Sequence, residues 1–319
     1  MRRLGRSAAL PLLGAALVVY AGVVLSLALA SDWDIPTLTN SAVAALGLAA
    51  LMSCLNYLLR GLRFHTLVST QTNRATYRGS LIVFVSALSL SATPARVGDL
   101  VRIGMMSRWY GVKVRASAPI CVFDRMFDLA AVACLGALSV LFVPELGSSY
   151  PAWWIATAAT FGLILICVGL YLVVLFVVPW MPRPVRRLLA LLKVRRPVRH
   201  RFPAAFGLSL VAWMCEGVAV ALVLWSLGGA FQIMTGVFVH SIALLAGALT
   251  FLPGGIGGAE AAAAFMLVQL GWSFESAVAA AILIRLTTFW LAILLGSITW
   301  GLASLAHRRR EAVAGKEGA

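Results

Sequence analysis

Two stretches decide the reading: Thr93-Pro94-Ala95-Arg96-Val97-Gly98-Asp99 and Leu252-Pro253-Gly254-Gly255-Ile256-Gly257-Gly258-Ala259-Glu260. Each sets Pro, Gly and an acid inside a long apolar region, and they lie about 160 residues apart in a chain of 319. Charges and helix breakers are costly in hydrocarbon. A pair of them in corresponding halves therefore points to a site inside a membrane.

The rest of the chain fits that setting. It is 61% hydrophobic and 12% charged, more apolar surface than a soluble domain of this size can hide, so a polytopic helical membrane protein is expected. The net charge of +15 collects in a few loops. It reads as a topology signal, and no nucleic-acid partner is expected. Cys54, Cys121, Cys134, Cys167 and Cys215 sit in apolar segments without a CxxC or His/Cys cluster. They read as small buried hydrophobes, and neither a metal site nor a cofactor is implied. Arg2, Arg3 and Arg6 ahead of an apolar run, with Ala28-Leu29-Ala30 after it, mimic a signal peptide. The run from Ser7 to Ala30 is longer than the ~7–15 residues of a signal core, so it is taken as the first crossing.

Six segments are long enough to cross: about 7–30, 41–60, 117–143, 152–178, 203–227 and 276–303. Two more apolar regions, 79–108 and 234–271, are each broken by one of the motifs into pieces short of the ~20 residues a crossing needs. Basic residues set the topology. Arg2, Arg3 and Arg6, the 60–78 loop, Arg108 with Lys113 and Arg115, the eight bases of 179–202, and His307-Arg308-Arg309-Arg310 all read as inside. The loops at 31–40, 144–151, 228–233 and 253–275 carry no base and read as outside. Region 79–108 then enters and leaves from the cytoplasm, and 234–271 from the opposite face.

The expected fold is an all-α polytopic membrane protein of two inverted-topology halves, with about six full crossings and two opposed re-entrant helical hairpins. The halves would be residues 1–148 and 149–306, followed by a cytoplasmic tail, 307–319. Both termini would lie on the cytoplasmic side of the cytoplasmic membrane. An echo beyond the motifs supports the repeat. Pro94 precedes Arg125 by 31 residues and Pro253 precedes Arg285 by 32, while Asn56 and Glu216 fall at the same offset.

The site chemistry follows from the breaks. Pro94 and Pro253 are expected to end one helix, with the next starting just beyond. Gly98, Gly254, Gly255, Gly257 and Gly258 allow tight turns and close approach. Helix N-termini exposed at mid-depth favour anions, phosphate among them. Arg96, Arg102, Arg125 and Arg285 are the candidate headgroup contacts, since Arg grips phosphate bidentately. Asp99, Asp124, Glu216 and Glu260 are their candidate partners or proton carriers. The competing reading is that such charges only lock helices together, and for Asp128 and Glu216 the two readings weigh evenly. Arg60, Arg63, Arg108 and Arg115 read as topology and lipid-surface residues. Trp33, Trp109, Trp153, Trp154, Trp180, Trp272 and Trp300 read as interfacial anchors. His240 reads as a satisfied packing residue. The 183–201 stretch reads as either an amphipathic helix on anionic lipid or a plain inside loop.

These motifs resemble a family: the membrane region of lysylphosphatidylglycerol synthases and their stand-alone flippase-like relatives. The family segment Pro-x-Arg-x-Gly-acid-x-x-Arg is present as Pro94 to Arg102, and Pro-Gly-Gly-x-Gly-x-x-Glu as Pro253 to Glu260. Leu59-Arg60-Gly61-Leu62-Arg63-Phe64 and Asp124-Arg125 look like it too, and the likeness covers roughly residues 10–305. Asp99 stands where Glu is expected. The synthases' aminoacyl-transferring domain has no counterpart within the 319 residues. The resemblance therefore implies translocation of a phosphate- or sugar-bearing membrane lipid, downhill or coupled to an ion such as H⁺, and not an enzyme. Two alternatives remain. One is a lipid-modifying transferase, since Asp124-x-x-x-Asp128 resembles the second half of the phosphatidyl-alcohol transferase metal motif. The other is a scaffold for a lipid-synthesis enzyme.

Overall fold

A computed structural model describes residues 39–93, 98–143, 200–250 and 252–317. The first predicted crossing, the 152–178 crossing, the basic stretch 183–201 up to residue 199, and Arg96 fall outside those residues. The described chain is helical, with no strand among the described residues. We label its helices α1 (Asn40–Val68), α2 (Tyr77–Leu88), α3 (Gly98–Tyr110), α4 (Val114–Ser139), α5 (Phe202–Ser226), α6 (Ile233–Leu249), α7 (Gly258–Gln269), α8 (Phe274–Arg285) and α9 (Leu291–Glu317). A π-helical turn, Leu286–Trp290, joins α8 to α9. Four stretches are long and apolar enough to cross a membrane: Asn40–Val68, Ser117–Phe142, Phe202–Ser226 and Phe274–Ala306. They coincide with four of the six segments expected from sequence.

Local chemistry explains where helices start. Thr39 caps α1 by accepting from the Ala42 amide at 3.3 Å. Thr76 does the same for α2 through Gly79, and Ser273 for α8 through Ser276, each at 3.2 Å. These hydroxyls satisfy amides that the first turn leaves without partners.

The helix ends at the two breaks differ from expectation. α2 stops at Leu88 and α6 at Leu249, both ahead of their prolines. Hydroxyl side chains at these ends bond the loose carbonyls instead. Ser89 donates to Ser86 O at 2.7 Å, Thr93 to Leu90 O at 2.6 Å, and Thr250 to Gly247 O at 2.7 Å. The backbone beyond Leu88 winds into tighter i→i−3 bonds, Ser89 to Ser86 and Leu90 to Ala87. Ser/Thr back-bonding of this kind lets a helix end where water is scarce. The pieces are short: the 12 residues of α2 reach about 18 Å, against roughly 30 Å of hydrocarbon.

The elements repeat at a constant offset. α3 starts at Gly98 and α7 at Gly258; α4 starts at Val114 and α8 at Phe274; each offset is 160 residues. The packing repeats as well. α4 packs on α6, and α9 packs on α2, so each half's long closing helix crosses to the other half's first short helix. Gly136 and Gly296, again 160 apart, sit at these two crossings. A Cβ on Gly136 would lie 2.9 Å from Ser241 Cβ, and one on Gly296 would lie 2.4 Å from the Ser89 amide nitrogen.

α1 and α5, equivalent at this offset, share the most extensive helix contact. They run antiparallel: Asn56 donates to Ala212 O at 2.7 Å, and Arg63 further along α1 donates to Ser209 Oγ, earlier on α5, at 2.6 Å. Two cores flank their crossing. One joins the C-terminal half of α1, α2, Met106 of α3, the start of α4, Ala205 and Ala292. The other joins Ala49, Val143, the C-terminal half of α5, α6, α7 and α8. The α2–α3 pair thus belongs to one end of the molecule and the α6–α7 pair to the other.

Candidate functional site

The first half builds a buried ion network. Asp124 accepts from Arg63 Nε at 2.9 Å and from Arg102 Nη1 at 2.8 Å, and all three side chains are fully buried. Asp128, one turn on, accepts from Arg63 Nη1 at 2.7 Å, Arg60 Nη2 at 2.8 Å and Trp213 Nε1 at 3.0 Å. Their i, i+4 spacing puts both carboxylates on one face of α4, where Arg63 bridges them. Arg102 is also sandwiched between Phe64 and Phe84, 4.8 Å from each ring centre, and Arg60 lies 4.7 Å over Trp213. Guanidinium groups survive such burial because carboxylates neutralise them and ring faces replace water.

Beside this network stands a more open pair. Arg125 Nε and Nη2 donate to the two oxygens of Asp99 at 3.0 and 2.9 Å, with about a quarter of each side chain exposed. Asp99 lies in the first turn of α3, which begins just after the first break. Gly98 brings that turn against α2: a Cβ there would sit 2.3 Å from Ala87 O.

The second half repeats the pair. Arg285 Nε donates to Glu260 Oε1 at 2.8 Å, and its Nη2 donates to Gly254 O at 2.8 Å. Glu260 lies in the first turn of α7 and accepts the Gly257 amide with Oε2 at 2.8 Å. This carboxylate already occupies part of the helix start that sequence reasoning left free for phosphate. The Arg285 guanidinium stacks 4.1 Å from the Phe289 ring centre. Gly254 has φ +65°, and a Cβ there would lie 2.5 Å from Phe289, so the turn demands glycine twice over. Arg125 and Arg285 are themselves 160 residues apart, each gripping the acid that opens the helix after its own break.

Asp99, Arg125 and Arg285 of these pairs face one cavity of about 480 Å³. The first half contributes Arg60, Asp99, Arg125 and Asp128; the second contributes Glu216, His240, Gly254, Gly255 and Arg285. The volume lies within the ~300–1,000 Å³ typical of small-molecule sites.

Of the residues expected from sequence, Asp99, Arg125, Glu216, Gly254, Gly255 and Arg285 line this cavity. Glu260 stands behind Arg285 and holds it. Arg102 and Asp124 are sealed in the network and do not reach the cavity wall. Arg60 and Arg63 correct the sequence reading. They are not lipid-surface residues, because α1 continues to Val68 and carries both into the core, Arg63 fully buried and Arg60 nearly so. His240 also departs from expectation: it lines the cavity, and its buried Nε2 has no hydrogen-bond partner. A Trp213–His240 ring contact at 5.7 Å places it beside the network. Signals for Arg60 and Arg63 existed in the i, i+3 spacing of two bases near Asn56 and in the need of Asp124 and Asp128 for counter-charges. Nothing in the sequence marks Trp213 or His240.

The donor set does not suit a metal ion. Among the described residues no three His, Cys, Asp or Glu side chains converge. In the Asp124-x-x-x-Asp128 pair, both carboxylates are already bonded by arginine.

With the geometry in place, comparison with known proteins is informative. Residues 12–296 match the family described as the lysylphosphatidylglycerol synthase TM region, and the chain belongs to that family. A UPF0104 membrane protein of Methanocaldococcus jannaschii is 26% identical over 218 residues, covering 65% of this chain and 91% of the relative. A UPF0104 membrane protein of Methanothermobacter thermautotrophicus is 32% identical over 93 residues, 29% of this chain and 28% of the relative. Membership and four long apolar helices make the chain an integral membrane protein.

Proposed function

We propose that this member of the lysylphosphatidylglycerol synthase membrane-region family is a lipid translocase. In this reading it moves an anionic, phosphate- or sugar-bearing headgroup across the cytoplasmic membrane between the two helix breaks. One observation carries the proposal: a headgroup-sized cavity lined by one arginine from each half, each held by a carboxylate. Three findings support an inverted, re-entrant arrangement, with α2–α3 entering from the cytoplasm and α6–α7 from outside. α1 and α5 run antiparallel; the broken pairs lie at opposite ends; and every piece of the breaks is shorter than a crossing.

The chemistry is ligand exchange. Arg125 is held bidentately by Asp99, and Arg285 by Glu260 and the Gly254 carbonyl. A headgroup phosphate competes for the same guanidinium fork. Binding at Arg125 frees Asp99 and with it the start of α3; handing the phosphate to Arg285 frees Glu260 and the start of α7. Arg63 and Arg102 supply a positive field on one side without reaching the cavity, while Arg60 lines it, and the chains stay in lipid.

The transferase alternative needs free carboxylates at Asp124 and Asp128, and both are engaged. The test is lipid movement in proteoliposomes containing fluorescent phosphatidylglycerol. Arg125→Ala and Arg285→Ala should each abolish translocation while the protein stays folded; wild-type rates in both variants would refute the site.

A further inference from the structure

Glu216 stands apart from the other carboxylates of the site. Asp99, Asp124, Asp128 and Glu260 are each held by an arginine. Glu216 is 4% exposed and lines the cavity; among the described residues it forms no ion pair, and its buried Oε2 has no hydrogen-bond partner. Ser53 of α1 is its polar neighbour. An ionised carboxylate buried without a partner is among the costliest arrangements in a protein, so the group needs a positive counter-charge. Hard metal ions such as Mg²⁺ or Ca²⁺ take six or more oxygens, and one carboxylate with one hydroxyl falls far short. A proton needs one.

Position gives that proton a use. Glu216 sits on α5 where it crosses α1, opposite the polar side chain at the equivalent offset, Asn56, which ties the two helices together. Glu216, Arg125 and Arg285 line the same cavity. We infer that Glu216 is the coupling site of the translocase: it takes a proton from the cavity in one conformation and returns it in the other. This rests on the translocase reading. The cavity's other charged and titratable groups are accounted for. Cys54, Tyr57 and Arg60 face Glu216 from α1, and Tyr57 donates to Thr288 O while Arg60 is bound by Asp128. Cys215 lies beside it on α5. His240 stands on α6, Asp128 and Arg125 on α4, Asp99 on α3 and Arg285 on α8. Of these, His240 and, through Nε, Arg60 share with Glu216 an unpartnered buried atom; Arg60 is otherwise held by Asp128, so His240→Gln is the required control.

The protein is reconstituted in vesicles of phosphatidylcholine and phosphatidylglycerol and treated with dicyclohexylcarbodiimide, which adds to protonated carboxyls. A mass adduct on Glu216 should form in acid and vanish in alkali, indifferent to Na⁺. Absence of the adduct at every pH, or protection by Na⁺, overturns the proton assignment. In the same vesicles a proton gradient should speed movement of fluorescent phosphatidylglycerol by up to about tenfold per pH unit, the mass-action limit for one proton. Glu216→Gln should lose that dependence and His240→Gln should keep it. A Glu216→Gln protein that still follows the gradient overturns the inference. If the adduct titrates as expected but wild type moves no lipid, the proton site stands and the translocase reading falls.

Discussion

Replacing Asp124 by Ala should destabilise the protein severely, and the geometry sets the size. Among the described residues Asp124 is the one close carboxylate for Arg102, at 2.8 Å, since Asp99 stands off at 3.6 Å. It also accepts from Arg63 Nε at 2.9 Å, and Arg63 Nη2 lies within ion-pair distance at 2.7 Å. Four arginines (Arg60, Arg63, Arg102, Arg125) face three aspartates (Asp99, Asp124, Asp128), so the network is already one charge positive. Removing Asp124 doubles that excess beside the fully buried Arg63 and Arg102. Breaking a buried pair from one side costs about 3–5 kcal/mol, and the upper part of that range applies because Arg102 is left without a close acceptor. Arg63 keeps Asp128 and Ser209 and so is partly spared. Equilibrium unfolding in mixed micelles should show this loss, and Asp124→Leu combined with Arg102→Met should recover a large part of it, since a matched apolar pair is often neutral. A loss under about 1 kcal/mol, or a double-mutant cycle without coupling, would refute the view that these ions hold α1, α3 and α4 together.

Other outcomes follow from particular contacts. Gly296→Ala should destabilise by about 1–3 kcal/mol, because its methyl would meet the Ser89 backbone at 2.4 Å. Gly301→Ala, with nothing within 4 Å, should be neutral or slightly stabilising; thermal unfolding in detergent separates the two. Phe289→Ala should weaken headgroup binding by about 0.5–2 kcal/mol through loss of the ring face beneath Arg285, read as a raised half-saturating lipid concentration in the translocation assay. Single cysteines at Arg74 and Lys113 should react with membrane-impermeant maleimide only from the cytoplasmic side, and one at Phe231 only from outside. An outside-facing Lys113 position would break the re-entrant arrangement of α2 and α3.

Much of this was legible in the sequence, for identifiable reasons. Long apolar runs give helices directly, so the 41–60, 117–143, 203–227 and 276–303 segments appear at their places. The spacing of Pro94 to Arg125 and Pro253 to Arg285 anticipated the repeat, because a pair that must bridge a break to a long helix fixes the chain length between its partners. Arg60 and Arg63 were misjudged because bases near the end of an apolar run look the same whether they face lipid headgroups or the core. Only the extra turns of α1 and the two aspartates of α4 decide it. The sealing of Arg102 and Asp124 was equally invisible, since which side of an ion network faces a cavity depends on helix rotation and not on spacing. The early ends of α2 and α6 come from hydroxyl groups bonding back to carbonyls, an effect that prolines a few residues later conceal.

The central claim is that the space between the two breaks receives a lipid headgroup. The most direct measurement is a cryo-EM map of the protein in phosphatidylglycerol-containing nanodiscs. The account predicts headgroup density between Arg125 and Arg285, with a guanidinium turned from its carboxylate toward the phosphate and chains leaving sideways into the bilayer. A cavity empty of lipid, with Asp99–Arg125 and Glu260–Arg285 both closed and ordered lipid only on the outer surface, would contradict it.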